Sequence, residues 1–457
     1  MELLRQVVSY VQQLRKRKLV KMPGTFGDAL RAIENLPGVA RAPFNSGLII
    51  VRGGKPGDSK SFLLGSEVPQ LYHFGGLTSV VPSTLVERVD YYPGNFSVRY
   101  GRATAGAIDV ELREGKRDRI HGYLDVNGFD AGAGIEGPVG KGSFIVAARR
   151  SYVDALMGLA VSTGMFPQMG LSFTTAPVYY DYQAILDYPL GGGKFRALLT
   201  GSDDVLKLVF DNPQGADPGI RGNFSNHNYF HKLTLRWTKT SGPWSFLVQT
   251  AGGFSGLDYV IGDGRNVAIA SILDDTRIEV RRQLGPHLKL LAGIDTQYGY
   301  SKLSAVVPAP VREGEQPLPL SAVNAVRADE LINSFSVGAY AELVARLTGQ
   351  LTVTPGLRFD YLDSIHRMTL NPRLAVRYQV LPITTIKAGV GLFSRDPDAQ
   401  DYDAAFGNPR LRPENAIHYA LSVEQGLWPG LMFEATGFYK TLYDLAATSN
   451  LRVYRDG

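Results

Sequence analysis

The chain contains no cysteine, and this absence excludes several kinds of site. None of its 457 residues can form a disulfide, bind a metal as a thiolate or act as a cysteine nucleophile. The sequence also lacks any run of about 18 or more apolar residues, so a membrane-spanning helix is not expected. A complete lack of cysteine is compatible with folding in an oxidising compartment without disulfide bridges.

Charge is also sparse, and this excludes further classes of protein. Charged residues make up 20% of the chain, aromatic residues make up 10%, and there are 51 glycines. Disordered chains have many charges and few aromatic residues, and helical bundles are rich in Ala, Glu, Lys and Leu, so both are disfavoured. The net charge of +5 is spread along the chain without a basic stripe, and we therefore expect no nucleic-acid partner.

Strings that resemble cofactor motifs are better explained as turns. Residues 132–137 match the dinucleotide pattern G-x-G-x-x-G, but Pro138 follows where a helix would have to begin. Residues 191–194 read Gly-Gly-Gly-Lys, but Phe195 stands where a phosphate-binding loop needs Ser or Thr. The 7 histidines show no metal-ligand spacing. We expect no enzyme activity, no cofactor and no metal site.

The N-terminal segment, residues 1–22, is basic. Its cations are Arg5, Arg15, Lys16, Arg17, Lys18 and Lys21. Apolar residues at helical spacing predict an amphipathic helix, which we interpret as a leader before the first domain, with membrane-surface binding as the alternative. No apolar core follows the charges, so this is not a secretory signal peptide, and an exported protein would have its true N-terminus upstream.

Residues 23–115 predict a small α+β domain, because short apolar strands alternate there with Pro-Gly and Gly-Gly turns. From residue 119 onward the pattern changes to long strands with strict alternation. In residues 229–238, Leu233, Leu235 and Trp237 share one face, and Lys232 and Arg236 share the other. Two-faced strands of about 10 residues are long enough to cross a bilayer at a tilt, with the apolar face toward lipid.

Short and long connections alternate along this second region. The short turns lie at 138–142, 190–194, 240–243, 284–287, 347–350, 380–382 and 427–430, and the long connections include 203–227, 301–329 and 394–414. This arrangement is typical of transmembrane barrels, and a soluble all-β protein is the alternative. We predict a mainly β fold in which a small α+β domain precedes a transmembrane antiparallel β-barrel of about 15 strands, incomplete, over residues 116–457.

Several strings resemble motifs of one family of bacterial outer-membrane proteins. Residues 49–54, Ile-Ile-Val-Arg-Gly-Gly, look like the "IRG" strand of the plug domain of TonB-dependent receptors, and residues 86–94 are similar to that family's "IERIEVLRGP" strand. Residues 100–110 resemble its "YGxxAxGGVINI" box, and residues 408–414 resemble "NPxLxPE" in the barrel. The chain thus resembles the plug and the N-terminal part of the barrel of such a receptor.

The resemblance implies a receptor in the outer membrane of a Gram-negative bacterium. It implies uptake of a scarce nutrient, such as an iron-siderophore, cobalamin, a sugar or a peptide, by TonB-dependent, ligand-gated transport. Its implied partners are the TonB complex of the inner membrane, outer-membrane lipid and a small extracellular ligand. No TonB box precedes the plug in this chain, so the alternative is an outer-membrane binding or structural protein without coupling to TonB.

The resemblance also assigns site residues. Arg52, Gly53, Tyr100, Gly101 and Gly106 are the plug motif residues with a structural or gating role. The sequence has Pro93 where the family has a second plug arginine. A buried plug cation needs a counter-ion, so Arg52 is expected to pair with barrel carboxylates, and Glu342 and Glu424 are the candidates. Because plugged bacterial barrels of this kind have about 22 strands, we expect about seven more strands in the natural product.

Overall fold

The computed structural model describes residues 12–15, 22–25, 27–41, 49–74, 76–155, 171–210, 222–262, 264–308, 325–402 and 407–447. In these ranges the chain forms a small N-terminal domain with short elements and one large sheet of long strands. No helix in these ranges has the length and apolar character needed to cross a membrane.

The N-terminal domain, called the plug below, is built on a five-stranded sheet. Its strands are β1 (Gln12–Arg15), β2 (Val39–Arg41), β3 (Ile49–Val51), β4 (Lys60–Leu63), β5 (Ser66–Glu67), β6 (Tyr72–His73), β7 (Thr78–Ser79), β8 (Val86–Tyr92) and β9 (Ala107–Leu112). The sheet order is β1-β8-β9-β4-β5, with β4 parallel to β9, while β2–β3 and β6–β7 form separate pairs. Short 3-10 helices span Leu30–Asn35 and Pro56–Asp58.

Strand β1 corrects one prediction, because the segment 1–22 was predicted to be helical. Over Gln12–Arg15 the backbone is instead a strand that pairs antiparallel with β8. The physical reason is that β8 would otherwise present an unpaired edge, and a neighbouring strand satisfies its backbone groups. Tertiary pairing therefore overrides the local helical spacing.

The plug core continues into the wall of the large sheet. Buried plug residues such as Leu30, Leu85 and Val110 belong to one apolar cluster with Ile145 and Leu198 of the sheet. Because these side chains exclude water together, the plug and the sheet wall share one hydrophobic core. The plug therefore packs directly against the inner face of the sheet.

The large sheet has fifteen strands in sequential antiparallel order, as predicted. They are β10 (His121–Val126), β11 (Asp130–Val139), β12 (Gly142–Ser151), β13 (Leu171–Leu190), β14 (Gly193–Phe210), β15 (Gly222–Ser241), β16 (Trp244–Ile261), β17 (Arg265–Gln283), β18 (Leu288–Pro308), β19 (Ala325–Arg346), β20 (Leu351–Leu362), β21 (Arg367–Leu381), β22 (Thr384–Arg395), β23 (Glu414–Trp428) and β24 (Leu431–Tyr443). Among the described residues, β10 and β24 do not pair with each other.

All seven predicted short turns join consecutive strands of this sheet. The predicted long connections are partly wrong, because β14 runs to Phe210 and β15 begins at Gly222, which turns most of 203–227 into strand. Strand β19 reaches 22 residues. At about 3.3 Å per residue, such a strand is longer than a tilted crossing of an apolar layer about 30 Å thick requires. Hairpins can continue beyond that layer because their ladder satisfies the backbone.

The two faces of β15 are as predicted. Leu233 is 43% exposed on the outer face, whereas Lys232 and Thr234 are buried on the inner face. Arg236 also points inward, where its guanidinium reaches Glu111 of the plug at 3.3 Å. The outer face therefore carries the apolar side chains, and the inner face carries polar groups that contact the plug.

Candidate functional site: the interface between plug and barrel wall

Arg52 and Gly53 form the turn that follows β3. Both have a positive φ, +45° for Arg52 and +73° for Gly53, which is a costly conformation for arginine and an easy one for glycine. The Arg52 N–H donates to the carbonyl of Gly38 at 2.8 Å. Its guanidinium carbon lies 4.5 Å from the centre of the Phe438 ring on β24, which is a cation–π contact with the wall.

The two acids predicted to pair with Arg52 have other contacts. Glu342 accepts a hydrogen bond from the Val98 N–H at 3.3 Å. Glu424 binds the ammonium group of Lys387. Within the described residues, the predicted pairing of Arg52 with Glu342 or Glu424 is therefore wrong, because each acid is engaged by another group.

Tyr100 lies in the interior of the plug. Its hydroxyl donates to Asp109 at 2.8 Å. Its ring centre is 5.2 Å from that of Phe62 and 5.1 Å from that of Tyr92. The side chain therefore joins an aromatic cluster to a buried carboxylate and fixes the chain just before Gly101.

Gly101 and Gly106 are required by close approach. A Cβ at Gly101 would overlap the guanidinium of Arg358, a side chain of β20 that has no exposed surface. A Cβ at Gly106 would lie 2.8 Å from the carbonyl oxygen of Tyr92 and 2.9 Å from Val51. Gly101 thus permits contact between plug and wall, and Gly106 permits packing within the plug.

A buried quartet of charges joins the plug to the wall beside Gly101. Arg102 of the plug donates to Asp360 at 3.0 Å and also binds Asp295. Arg358 donates to Asp295 at 2.8 Å and 2.9 Å and to Asp360 at 2.6 Å. Two guanidinium groups and two carboxylates thus neutralise each other out of contact with water. Removing one member of such a set leaves an uncompensated buried charge, which is strongly destabilising.

A second plug arginine makes a similar contact. Arg99 donates from Nε to Glu279 of β17 at 2.9 Å, and its Nη1 lies 3.8 Å from Asp109. Glu279 also accepts from Arg281 at 2.5 Å. Burial lowers the pKa of Arg99, but Glu279, Tyr100 and Asp109 together outweigh burial, and the pKa is raised. Arg99 is therefore a permanent cation between plug and wall.

Arg373 of β21 holds the plug backbone. Its Nη1 atom donates to the carbonyl oxygens of Phe96, Ser97 and Tyr100 at 3.1, 2.7 and 2.9 Å. Its guanidinium also stacks on the Phe393 ring, with 4.1 Å to the ring centre. These bonds fix the backbone of residues 96–100, so that the plug segment between β8 and β9 is attached to the wall.

A third charged contact involves His73 at the end of β6. Its Nδ1 lies 2.5 Å from Asp204 and its Nε2 lies 3.1 Å from Asp181, and all three side chains are buried. Both ring nitrogens face carboxylate oxygens, so both must donate, which requires the imidazolium form. Burial lowers the pKa of His73, but the hydrogen bonds that its ring donates to Asp181 and Asp204, together with their negative charges, outweigh burial, and the pKa is raised. The His73 ring also stacks on Tyr179 at 4.1 Å.

Arg149 of β12 extends this contact to the β6–β7 hairpin. Its Nη2 lies 2.7 Å from Asp181 and donates to the carbonyl of Ser79. Its Nη1 lies 3.6 Å from Asp130, which accepts from the Tyr179 hydroxyl at 2.5 Å. The hairpin is therefore held by wall residues of β11, β12, β13 and β14 around one buried histidine.

The sequence analysis named the motif residues but not the ion pairs beside them. Arg99 and Arg102 flank Tyr100-Gly101, and two cations beside that motif were the signal in the sequence that could have indicated ion pairs with the wall. Asp295 and Asp360 lie on the polar face of predicted strands, which also indicated an inward position. Among the described residues, no group of three or more His, Cys, Asp or Glu side chains could hold a metal ion. The charged side chains described above hold the plug against the wall through hydrogen bonds and ion pairs.

Comparison with known proteins gives the same architecture. The profile of the family described as TonB dependent receptor-like, beta-barrel matches residues 168–457. The vitamin B12 transporter BtuB of Vibrio cholerae is 32% identical over 112 residues, which is 24% of this chain and 18% of that protein.

Solved structures share the fold. The ferric enterobactin receptor PfeA of Pseudomonas aeruginosa superposes with a TM-score of 0.72 at 16% identity, over 96% of this chain and 72% of that one. The siderophore receptor PirA of Acinetobacter baumannii gives a TM-score of 0.71 at 14% identity, over 96% and 71%. Identities this low show the fold alone, whereas the family profile covers more than half of the chain. The chain belongs to the TonB-dependent receptor-like β-barrel family, whose members are receptors and transporters rather than enzymes.

Proposed function

We propose that the protein is an outer-membrane receptor that takes up a scarce nutrient by TonB-dependent, ligand-gated transport. The observation that carries the proposal is the plug, which is bound to the inner face of the wall by buried ion pairs through Arg99, Arg102 and His73. A passive pore conducts only while its lumen is open, and a domain inside the lumen would block it. A gated pore needs such a domain, and it needs contacts that break when the gate opens.

These ion pairs suit a gate because each pair stabilises the seated plug only while both of its partners are in contact. Buried pairs gain little over apolar packing, but separating one partner costs about 3–5 kcal/mol. The Arg102–Arg358–Asp295–Asp360 quartet would therefore hold the plug firmly at rest. An energy-coupled pull from the periplasmic side would have to break it, and we propose the TonB complex of the inner membrane as the source of that pull.

The nutrient classes to test first come from the relatives. One is a vitamin B12 transporter and another is a ferric enterobactin receptor, so cobalamin and a ferric siderophore are the leading candidates. Sugars and peptides are the other classes that the family resemblance implies. The location that follows is the outer membrane of a Gram-negative bacterium.

Uptake measurements test the proposal. Radiolabelled cobalamin and ferric enterobactin would be offered to cells that express the protein from its own gene, to cells that lack the gene, and to expressing cells treated with a protonophore. Gene-dependent uptake that the protonophore abolishes is the expected result. Gene-dependent surface binding without energised uptake would favour the uncoupled binding protein and contradict the transport proposal.

A disulfide between plug and wall tests gating directly. A Cβ at Gly356 of β20 would lie 2.7 Å from Val98 Cγ1, and hence no more than about 4.2 Å from Val98 Cβ, within the range that disulfides join. The chain has no other cysteine, so Val98→Cys with Gly356→Cys forms a single defined bridge. Oxidation should abolish uptake and retain ligand binding, and reduction should restore uptake. The Val98→Cys single variant is the control, and uptake through the oxidised bridge would contradict a moving plug.

A further inference from the structure

A row of inward side chains crosses three neighbouring strands beneath the plug. Arg236 of β15 lies opposite Gln249 of β16, and Gln249 lies opposite Arg277 of β17. Gln249 accepts a hydrogen bond from Arg236 Nε at 2.7 Å through its side-chain oxygen. The amide nitrogen of Gln249 is therefore turned away from Arg236 Nε, and the three side chains lie side by side on the inner face of the sheet.

Four of these donor nitrogens have no hydrogen-bond partner within the described residues. They are Arg236 Nη2, Gln249 Nε2, Arg277 Nε and Arg277 Nη1, and each is shielded from solvent. Gln249 is 1% exposed and Arg277 is 6% exposed. A buried donor without a hydrogen-bond partner is destabilising, so four of them together indicate a bound acceptor.

The plug closes this space with a glycine and a third guanidinium group. A Cβ placed on Gly65 would lie 3.2 Å from Arg99 Nη2, 3.3 Å from Arg236 Nη2 and 3.6 Å from Arg277 Nη1. Three cationic side chains therefore converge on the open side of one glycine. Gly65 is buried and has a φ of +74°, a backbone conformation that favours glycine.

The surrounding carboxylates do not balance this positive charge, because each is shared. The shared sets are Asp295 with Arg102, Arg277 and Arg358; Glu279 with Arg99 and Arg281; and Glu111 with Arg88 and Arg236. Asp90, Asp109 and Asp360 contact members of the same group. In the part of the chain that the structure describes, these ion pairs thus bring seven guanidinium groups together with six carboxylates. Arg277 has the weakest pairing, with 3.9 Å between its Nη2 and Asp295.

We propose that a small inorganic anion of halide size binds between Gly65 and the row Arg236–Gln249–Arg277, with Arg99 as its plug-side ligand. A water molecule accepts about two hydrogen bonds and must itself donate, but the unpartnered atoms here are all donors. An anion beside Gly65 can accept from the N–H groups that converge there, on Arg99 Nη2, Arg236 Nη2 and Arg277 Nη1, and it neutralises the excess charge. Because Arg99 and Gly65 belong to the plug, the anion site is complete only while the plug is seated.

Bromide is the probe for this site, because it scatters anomalously. Crystals of the protein grown with bromide as the only halide should show an anomalous peak beside Gly65, in contact with Arg236 and Arg277. Crystals of the Arg277→Met variant should lack that peak. An ordered water or an empty space at this position in the unsubstituted protein would overturn the proposal.

A solution measurement keeps the proposal testable if a variant does not crystallise. The thermal midpoint of the detergent-solubilised protein should rise with bromide when gluconate keeps the ionic strength constant, because a ligand that binds only the folded state stabilises it. Gln249→Leu removes one donor without changing charge and should weaken the apparent bromide affinity about tenfold or more.

The matched control is Arg282→Met, because Arg282 is exposed on the outer side of β17, where it stacks on Trp244 at 4.5 Å. This variant should respond to bromide as the unsubstituted protein does. An equal bromide response in the protein, in Gln249→Leu and in Arg277→Met would contradict a site at this row.

Discussion

The buried histidine of the plug gives the sharpest prediction about its attachment. His73→Gln should release the β6–β7 hairpin from the wall. Glutamine is neutral and has both of its N–H donors on one nitrogen, whereas His73 donates from opposite ring nitrogens to Asp181 and Asp204 and carries a positive charge. The substitution therefore leaves buried negative charge without its cation.

The magnitude follows from what remains around each carboxylate. Asp181 keeps Arg149 at 2.7 Å, so its charge stays compensated. Asp204 keeps only longer contacts, with the Phe74 N–H at 3.4 Å and the Ser202 hydroxyl at 3.5 Å. Breaking a buried pair costs about 3–5 kcal/mol, and the value here should lie near 3 because one acid stays paired. Opening of the hairpin should then be about 10²-fold more frequent.

Thiol labelling can measure this opening, because the chain has no natural cysteine. Ser79 on β7 is 1% exposed, so Ser79→Cys should react only when the hairpin leaves the wall. Its labelling rate in outer-membrane vesicles would be compared with and without His73→Gln. A cysteine at the exposed Thr240, in a separate variant, gives the intrinsic reaction rate of the thiol at each pH.

The same assay has a pH dependence with a definite sign. The pKa of His73 is raised above the usual 6.5, so the stabilisation is complete below that pH and is lost as pH rises through the higher folded-state value. Normalised labelling of Ser79→Cys should therefore increase with pH above about 6.5. It should be high and independent of pH in the His73→Gln background. Equal and slow labelling of both proteins at every pH would refute the role given to His73.

Other substitutions test the wall and the motif glycines. Leu235→Arg on the outer face should cost about 2–4 kcal/mol and reduce assembly, seen as loss of heat-modifiable gel mobility. Arg236→Leu removes the ion pair with Glu111 but keeps the lipid-facing surface apolar, so it should reduce assembly less; the reverse order would invert the two faces. Gly101→Ala should destabilise the plug by about 1–3 kcal/mol because its Cβ overlaps Arg358, and faster limited proteolysis of the plug would report it. Gly437→Ala, whose Cβ meets nothing within 4 Å, is the matched control and should be neutral. Gly106→Ala should destabilise the plug similarly by pressing on the Tyr92 carbonyl, and unchanged proteolysis would contradict the packing described.

The sequence by itself determined the architecture of the wall. Strict alternation in segments such as 229–238 defines two faces, and turn residues separate the segments. These signals are local, since a strand's period and a two-residue turn depend only on neighbouring side chains. The count of fifteen strands and the positions of the seven short turns were therefore predictable.

Strand length was not predictable in the same way. Segments 203–227 and 301–329 are polar and rich in turn formers, and they were predicted to be loops, yet β14, β15, β18 and β19 extend far into them. Beyond the apolar layer both faces of a hairpin can meet water or polar side chains, so the alternation that marks a strand fades. Only pairing with the neighbouring strand decides where such a hairpin ends.

The interface between plug and wall was decided by tertiary structure alone. The motif residues Tyr100 and Gly101 are contiguous and recognisable, but Arg102 meets Asp295 and Asp360 across sequence separations of 193 and 258 residues. Which inward acid faces which plug cation depends on the register of the wall and on the depth of the plug within it. A side-chain period of two fixes the face on which a charge lies, whereas its partner follows only when the chain has folded around the plug.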